Sequence, residues 1–285
     1  MIARDFSLRF TAESGQPLAF YSDYSRGGDG ESLRYTTELG VIDVHAVRKP
    51  SGETRISHSF SGGYTRASAE AEVKRRLGLH EDMDKVYRSI DTDAFMHSAI
   101  TELRGLRLTG NPPWEATLTF LVSQFNNIGR IRLIMRRLIS AFGEEATHDG
   151  KAVRLFPAPD ALASASIRQL MECNTGFRAR YIKSVAEEWQ TFDYKDIYRQ
   201  EYAVAKRSLM ELDGIGEKVA DCILLMGYGK LEAFPVDVWI QRVVGREYLG
   251  GKGKPRQVRE FAAGRWGAYA GYAQQYLFWY GRITG

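Results

Sequence analysis

Cysteine is scarce in this chain, and its scarcity excludes several kinds of protein. The 285 residues include two cysteines, Cys173 and Cys222, and no Cys-x-x-Cys pair. A disulfide framework needs more cysteines than this, and a four-thiolate zinc or iron–sulfur site needs all its ligands as cysteine. The sequence therefore predicts neither a disulfide-stabilised scaffold nor such a metal centre.

Long apolar segments are also missing. No apolar run approaches the roughly 20 residues that a transmembrane helix needs. The N-terminal segment MIARDFSLRF carries early charges and lacks the apolar core of a signal peptide. We therefore expect a soluble, intracellular protein with no membrane partner.

Neither sign of charge dominates. The chain has 39 Lys and Arg residues against 35 Asp and Glu residues, which gives a net charge of +4. Such a small excess permits a polyanionic partner without requiring one. Composition alone therefore leaves the partner open.

Hydrophobic periodicity divides the chain into two parts. Up to about residue 80, apolar residues alternate with polar ones at positions 6–10, 42–46 and 56–60, which predicts strands. A helix from Thr65 through Arg76 follows. Farther on the spacing is helical, and the predicted helices cover 94–103, 114–125, 130–142, 160–171, 180–189, 202–210, 217–226, 238–248 and 257–278. The sequence predicts an α+β protein, with an antiparallel β-sheet domain over residues 1–85 and an α-helical region over residues 86–285.

The segment from Leu209 to Asp237 contains a glycine hairpin, Gly214-Ile215-Gly216, between two predicted helices. Glycine allows positive φ and leaves backbone N–H groups uncovered at the start of the second helix, where the helix dipole favours an anion. A tight turn between packed helices is the simpler explanation of Gly-x-Gly alone. The apolar residues on both sides favour a helix-hairpin-helix that contacts a DNA phosphate.

Lys218 follows the hairpin, and Asp237 follows the apolar segment Phe234-Pro235-Val236. A lysine becomes a nucleophile when burial or neighbouring charges favour its neutral amine. Each residue has an ordinary alternative: Lys218 could contact a phosphate, and Asp237 could cap the next helix. The two together favour catalysis.

These residues resemble the helix-hairpin-helix superfamily of DNA glycosylases, and within it the 8-oxoguanine DNA glycosylase family. The similar segments occur in the same order over nearly the whole chain: FSLRFTAESGQPLAF, FNNIGRI, GFRARYI, GIGEKVADC, FPVDVW and WGAYAGYAQQYLF. The resemblance implies a TBP-like N-terminal sheet domain. It also implies two helical subdomains with the active site in the cleft between them.

The resemblance also implies a bifunctional enzyme of base-excision repair that flips 8-oxoguanine out of duplex DNA. Lys218 matches the lysine that attacks the sugar C1′ and forms a Schiff base, and Asp237 matches the aspartate that stabilises the developing charge. β-Elimination can then cut the strand. The chemistry needs no metal cofactor, and the hairpin could hold a monovalent cation.

Four further residues match the family's base pocket. Cys222 lies at i+4 from Lys218, so both project from one helix face, and it matches the cysteine that stacks on the flipped base. Phe278 matches the aromatic residue on the other face of the base. Gln274 lies at i−4 from Phe278 and matches the glutamine that reads the Watson–Crick edge. Gly15 matches the glycine whose carbonyl accepts from N7–H of oxidised guanine. Each of these has an ordinary alternative, as a core residue or, for Gly15, a turn glycine.

The resemblance assigns a second group of residues to DNA contact. Phe177 matches an aromatic wedge that enters the base stack. Arg130 and Arg178 match arginines that hold the orphaned cytosine. The remaining predicted contacts are Asn126, Asn127, Gly214, Gly216 and Trp239. The expected partner is double-stranded chromosomal DNA containing oxidised guanine, in the cytoplasm or nucleus, and we expect a monomer.

Three positions depart from the family pattern. Phe125 stands where the first of three asparagines is usual, so the preference for cytosine opposite the lesion is open. Trp239 replaces a histidine that usually contacts a phosphate, and Asp213 replaces a proline before the hairpin.

Two other functions remain open from the sequence. An alkylated-base glycosylase of the 3-methyladenine type shares the fold, and the aromatic tail from Tyr269 to Tyr280 keeps it under consideration, although Lys218 argues against it. A non-catalytic helix-hairpin-helix DNA-binding module is the second alternative. Lys218 together with Asp237 argues against that module.

Overall fold

The N-terminal part of the chain forms a five-stranded antiparallel sheet in a computed structural model, which describes residues 1–284. The strands lie in the order β1-β5-β4-β3-β2. Their bounds are Ile2–Ala3 (β1), Asp23–Gly27 (β2), Gly30–Thr36 (β3), Gly40–Arg48 (β4) and Thr54–Gly62 (β5). Ile42, Val44 and Ala46 are buried and alternate with less buried residues, as the period of two predicts. The predicted sheet is therefore confirmed.

The strand predicted at positions 6–10 is wrong. This segment contains a short helix, α1 (Leu8–Glu13), whose N-cap Ser7 accepts a hydrogen bond from the Phe10 backbone N–H. Leu8, Thr11 and Ala12 are buried, which is a helical spacing of three and four. The tertiary structure selects this period over the alternation that the same residues also satisfy.

Helices make up most of the remaining chain. Their bounds are Leu18–Tyr21 (α2), Arg66–Arg76 (α3), Met83–Ile90 (α4), Ala94–Glu102 (α5), Pro113–Ser123 (α6), Ile128–Phe142 (α7), Pro159–Ser164 (α8), Ile167–Glu172 (α9), Arg178–Glu188 (α10), Tyr202–Met210 (α11), Glu217–Tyr228 (α12), Val238–Tyr248 (α13), Pro255–Trp266 (α14) and Ala270–Thr284 (α15). The α+β fold class is confirmed. The domain division at residue 85 stays a prediction.

Two helices predicted as continuous are interrupted. The segment 160–171 breaks between α8 and α9, where Ala165 is extended and Ser166 starts a new capping box with Gln169. The segment 257–278 breaks between α14 and α15 at Gly267, whose φ is +49°. The second break changes the direction of the chain just before the helix that carries Gln274 and Phe278.

A two-stranded hairpin within the helical region was not predicted. It consists of β6 (Glu145–His148) and β7 (Lys151–Arg154). His148 is buried and joins the hairpin to the sheet, because its Nε2 lies 2.6 Å from Asp43 and its Nδ1 2.8 Å from the Ser61 hydroxyl. The strands have four residues each, too few for a clear alternating pattern.

A buried ionic network joins α2 and α3 to α6. Arg76 on α3 is fully buried and forms ion pairs with Glu115 on α6 and, at 2.6 Å, with Glu72. Tyr21 on α2 donates to Glu115 at 2.7 Å.

Within residues 1–284, no helix is long and apolar enough to cross a membrane.

Candidate active site

One cavity collects the residues that the sequence assigns to catalysis and base recognition. Its volume is about 140 Å³. We call it the base cavity, and its lining residues are Gly15, Phe20, Phe120, Ser123, Asn126, Asn127, Ile128, Ile131, Lys218, Cys222, Met226, Pro235, Asp237, Trp239, Gln274, Gln275, Phe278 and Arg282. Every predicted catalytic and base-pocket residue is among them. Residues more than 200 positions apart in sequence therefore meet at one place.

Helix α12 supplies Lys218 and Cys222 one turn apart on the cavity side. Lys218 is half-buried, and its Nζ lies 5.6 Å from the centre of the Phe120 ring. Cys222 is buried, and burial raises the pKa of its thiol to about 11, although the nearby Lys218 ammonium opposes this shift. The sulfur therefore stays a neutral thiol at physiological pH, which makes it an apolar contact surface rather than a nucleophile.

Asp237 is both the helix cap and a cavity residue. Its Oδ1 accepts from the backbone N–H of Ile240 at 2.8 Å, so it caps α13. Asp237 and Lys218 both line the cavity. The capping bond fixes the carboxylate in the cavity wall.

Gln274 carries an unsatisfied polar atom into the cavity. The residue is 5% exposed, and its Oε1 has no hydrogen-bond partner among residues 1–284. A buried acceptor without a donor costs about 1–3 kcal/mol. A ligand that presents an N–H group to this oxygen would remove that cost.

Two features of Gly15, its backbone conformation and a close contact, disfavour any side chain at this position. Its φ is +75°, and a Cβ there would lie 3.2 Å from Cε1 of Phe278. No residue of the described chain, 1–284, donates a hydrogen bond to its carbonyl. Gly15 therefore offers a free carbonyl beside the Phe278 ring.

Gln275 was not predicted from the sequence, yet it positions this turn. It is buried, and its Nε2 donates to the carbonyl of Ser14 at 2.9 Å. The bond ties α15 to the residue before Gly15. Adjacent glutamines on α15 therefore have different tasks, one facing the cavity and one fixing its wall.

Arg282 is a second residue that the sequence analysis missed. Its guanidinium carbon lies 5.2 Å from the centre of the Trp239 ring and 5.6 Å from that of Phe278. Arg242 lies 5.6 Å from the Trp239 ring. The position of Arg282 at i+4 from Phe278 could have predicted from the sequence that both face the cavity. The indole that replaces the usual histidine is thus accompanied by two positive charges.

The glycine hairpin lies outside the cavity, at the start of α12. Gly214 has φ of +78°, and a Cβ there would lie 2.4 Å from the Tyr181 ring. Gly216 is the N-cap of α12, has no side-chain cap bond and faces open space. Uncovered amides at a helix N-terminus suit a phosphate. DNA contact by both glycines stays a prediction.

Asn126 and Asn127 line the cavity from the loop between α6 and α7. Asn127 caps α7 through its Oδ1, which accepts from the Arg130 N–H at 3.0 Å. Asn126 donates to the Val122 carbonyl at 3.1 Å. Both amides therefore shape the loop, and their contact with DNA stays a prediction.

The two predicted cytosine-binding arginines differ in exposure. Arg130 is exposed at the start of α7. Arg178 is 3% exposed, and its guanidinium donates to the carbonyls of Gln124, Phe125 and Thr175. Burial, with a contribution from Arg130, lowers the pKa of Arg178. In the free protein Arg178 therefore holds the loop between α6 and α7, and its contact with DNA stays a prediction.

Residues 118–268 match the profile of the HhH-GPD superfamily base excision DNA repair protein family. A Methanothermobacter thermautotrophicus protein named probable N-glycosylase/DNA lyase is 32% identical over 99% of this chain and 95% of its own length. N-glycosylase/DNA lyase OGG1 of Arabidopsis thaliana is 28% identical over 96% of this chain and 79% of its own. The solved structure of MBOgg1 in complex with a low affinity DNA ligand is similar with a TM-score of 0.88 and 30% identity, covering 100% of this chain and 96% of that one.

Proposed function

The chain belongs to the HhH-GPD superfamily of base excision DNA repair proteins, and from that membership we propose that it removes 8-oxoguanine from duplex DNA. It is a bifunctional DNA N-glycosylase and lyase. The observation that carries the proposal is the shared cavity, which holds Lys218 and Asp237 beside Gly15, Cys222 and Gln274. The first pair supplies the reaction, and the others recognise the base.

Recognition of the base rests on two free acceptors. The N7–H of 8-oxoguanine donates to the Gly15 carbonyl, whereas guanine presents a lone pair there and is repelled. The N–H groups of the Watson–Crick edge donate to the unpaired Oε1 of Gln274. One such contact is worth about 1–3 kcal/mol, so the two acceptors act together with stacking between Cys222 and Phe278.

Lys218 carries out base removal. Its unprotonated amine attacks C1′ of the flipped nucleotide, and the C1′–N9 bond breaks so that the base leaves with the electron pair. The negative charge of Asp237 stabilises the positive charge that develops on the sugar. Loss of a proton from the nitrogen and opening of the ring give a Schiff base between Lys218 and C1′.

Strand cleavage follows from the Schiff base. The iminium group makes the C2′ proton more acidic. Loss of this proton expels the 3′ phosphate by β-elimination. We propose that side chains carry both steps without a metal and that the protein acts on chromosomal DNA as a monomer. A monovalent cation at the hairpin remains a prediction.

The two alternative functions predict different products. A 3-methyladenine glycosylase would release its base with water as nucleophile and form no covalent intermediate. A DNA-binding module would release no base. Lys218 in the base cavity favours the lyase over both.

Borohydride trapping tests the proposal. The protein is incubated with duplexes that contain 8-oxoguanine or guanine opposite cytosine, or 3-methyladenine opposite thymine. Borohydride reduces any imine to a stable secondary amine. We expect a covalent adduct with the 8-oxoguanine duplex alone. Release of 3-methyladenine without an adduct would instead support the alkylated-base alternative.

Lys218→Gln is the variant that tests the nucleophile. We expect it to bind the 8-oxoguanine duplex and to lose both base release and trapping, because an amide cannot form the imine. Lys151→Gln, in an exposed strand of the β6–β7 hairpin, is the matched control and should behave as the wild type. Normal cleavage by Lys218→Gln would contradict the assignment.

A further inference from the structure

Phe125 is the most solvent-exposed of the large hydrophobic side chains in the described residues, at 93%. It lies in the loop between α6 and α7, directly before Asn126 and Asn127, which line the base cavity. A phenylalanine ring that stays exposed to water contributes no hydrophobic stabilisation to the fold. Because it lies at the rim of the cavity, the Phe125 ring is placed where a ligand of the cavity would cover it.

The backbone of Phe125 is in a strained conformation. Its φ is +46°, in the left-handed region that bulky residues rarely adopt. Arg178 holds this conformation from one side through the carbonyls of Gln124 and Phe125. On the other side, Nε2 of Gln124 donates to the Gly214 carbonyl of the hairpin at 3.1 Å. The loop is thus fixed between α10 and the hairpin with the ring directed outward.

A second exposed ring lies beside Phe125. Phe177 is 46% exposed, and the two ring centres are 6.2 Å apart at an interplanar angle of 60°. Phe177 also contacts Tyr181 edge to face at 6.1 Å, and the Tyr181 ring packs against Gly214. Both rings therefore have fixed positions relative to the glycine hairpin that is proposed to hold the DNA backbone.

The rings of Phe125 and Phe177 themselves offer no hydrogen-bonding group. The Arg178 guanidinium is committed to backbone carbonyls and packs over the Phe177 ring at 4.5 Å. Arg130, in the first turn of α7, is exposed. An aromatic face binds every base by stacking and distinguishes poorly between them. The surface is therefore suited to a base of any identity.

We propose that Phe125 and Phe177 form a two-ring wedge that fills the position vacated by the flipped nucleotide and stacks on the orphaned base. Excision of the lesion then depends little on which base lies opposite. This inference rests on the proposed function, since it concerns the same DNA complex. Phe125 is then the residue responsible for this low selectivity toward the opposite base.

The rate of 8-oxoguanine excision opposite each of the four bases tests the inference. Under single-turnover conditions, we expect the four wild-type rates to agree within about fivefold, because stacking tolerates any base. Phe125→Ala should lower all four rates by a common factor of about five- to 150-fold, the range for loss of one base stack. Leu39→Ala, at an exposed apolar residue of the β3–β4 turn, is the control and should leave the rates unchanged.

Phe125→Asn separates stacking from the shape of the loop. Asparagine tolerates the left-handed region, so this variant keeps the backbone conformation while it replaces the ring with a hydrogen-bonding amide. We expect the four rates to diverge more widely than in the wild type. Equal rates in this variant would show that Phe125 does not set selectivity.

A fluorescence measurement reports stacking without requiring excision. Lys218→Gln protein is bound to a duplex with an abasic analogue opposite 2-aminopurine, with and without Phe125→Ala. We expect quenched emission with Phe125 present and brighter emission with alanine, and equal emission would overturn the wedge.

The outcomes distinguish this inference from the proposed function. Wild-type excision that is more than about fivefold faster opposite cytosine would reject the wedge as the basis of selectivity and leave the glycosylase assignment intact. No excision opposite any base would reject the proposed function, and the inference with it.

Discussion

At the scale of single residues, α12 gives two neighbouring side chains different chemistry. Lys218 and Cys222 both face the base cavity, as their spacing of four residues predicts. Burial raises the pKa of Cys222 to about 11, so this residue stays a thiol and serves as a contact surface. The spacing could be read from the sequence. The burial of Cys222 could not, because it depends on tertiary packing around α12.

Gly15→Ala tests the proposed recognition of the base separately from the chemistry. A left-handed φ costs an L-residue about 1–2 kcal/mol, and the new Cβ would lie 3.2 Å from the Phe278 ring. We expect excision of 8-oxoguanine to fall by about tenfold or more, because this strain displaces the Gly15 carbonyl and a lost contact of about 1–3 kcal/mol corresponds to roughly this factor. Cleavage of a preformed abasic site should stay unchanged, since no base enters the cavity.

Gly28→Ala is the control for this substitution. Gly28 lies in the β2–β3 turn with nothing within 4 Å of an added Cβ. Both activities of this variant should match those of the wild type. Equal loss of excision and abasic-site cleavage in Gly15→Ala would contradict a role confined to the base.

At the scale of elements, α15 supplies one wall of the cavity. It carries Gln274, Gln275, Phe278 and Arg282, and the spacing of Gln274 and Phe278 predicted their shared face correctly. The start of α15 was not predicted, because the helical period continues across Gly267 and the φ of +49° at this glycine is visible only in the structure. The same limitation explains α1, where strand and helix periods fit the same apolar residues.

Gln275→Met tests how α15 positions Gly15. Methionine keeps the length of the side chain and removes the donor, so the Ser14 carbonyl is left buried and unpaired at a cost of about 1–3 kcal/mol. We expect slower excision of 8-oxoguanine with normal cleavage of an abasic site. Gln190→Met, at an exposed position after α10, should change neither rate. Normal excision by Gln275→Met would show that the bond to Ser14 does not position the turn.

At the scale of the whole chain, the Arg76 network joins α2 and α3 to α6, a helix that lines the base cavity. Its members come from α2, α3 and α6, and no pattern in the sequence indicates that Arg76 is fully buried. Such pairing depends on which helices pack together, and charged residues in α3 fit a solvent-exposed face equally well. Likewise, the alternation of β4 predicted the sheet, whereas the burial of Arg178 depends on contacts between distant loops.

Glu72→Gln tests the contribution of this network to stability. Burial raises the pKa of the Glu72 carboxyl, but the guanidinium groups of Arg76 and Arg75 outweigh it and lower the pKa from 4.5 to about 2. A lowered folded-state pKa stabilises the protein above the unfolded value of 4.5, and this stability is lost as the pH falls toward 2. Its upper limit at pH 7 is about 3 kcal/mol.

Urea unfolding at several pH values measures this effect. We expect Glu72→Gln to be less stable than the wild type at pH 7 and the difference to shrink as the pH falls through 4 to 3. Glu70→Gln, on the exposed face of the same helix, is the control and should show little change. A difference for Glu72→Gln that stays constant with pH would contradict the ionic contribution.

We propose that Lys218 forms the covalent intermediate on DNA containing 8-oxoguanine, and mass spectrometry of the trapped adduct identifies the amine that reacts. The borohydride-reduced complex is digested with nuclease and trypsin. A modified Lys218 resists trypsin, so we predict one uncleaved peptide, SLMELDGIGEKVADCILLMGYGK, that carries a reduced sugar remnant. A remnant on any other lysine or on the N-terminal amine would show that Lys218 is not the nucleophile.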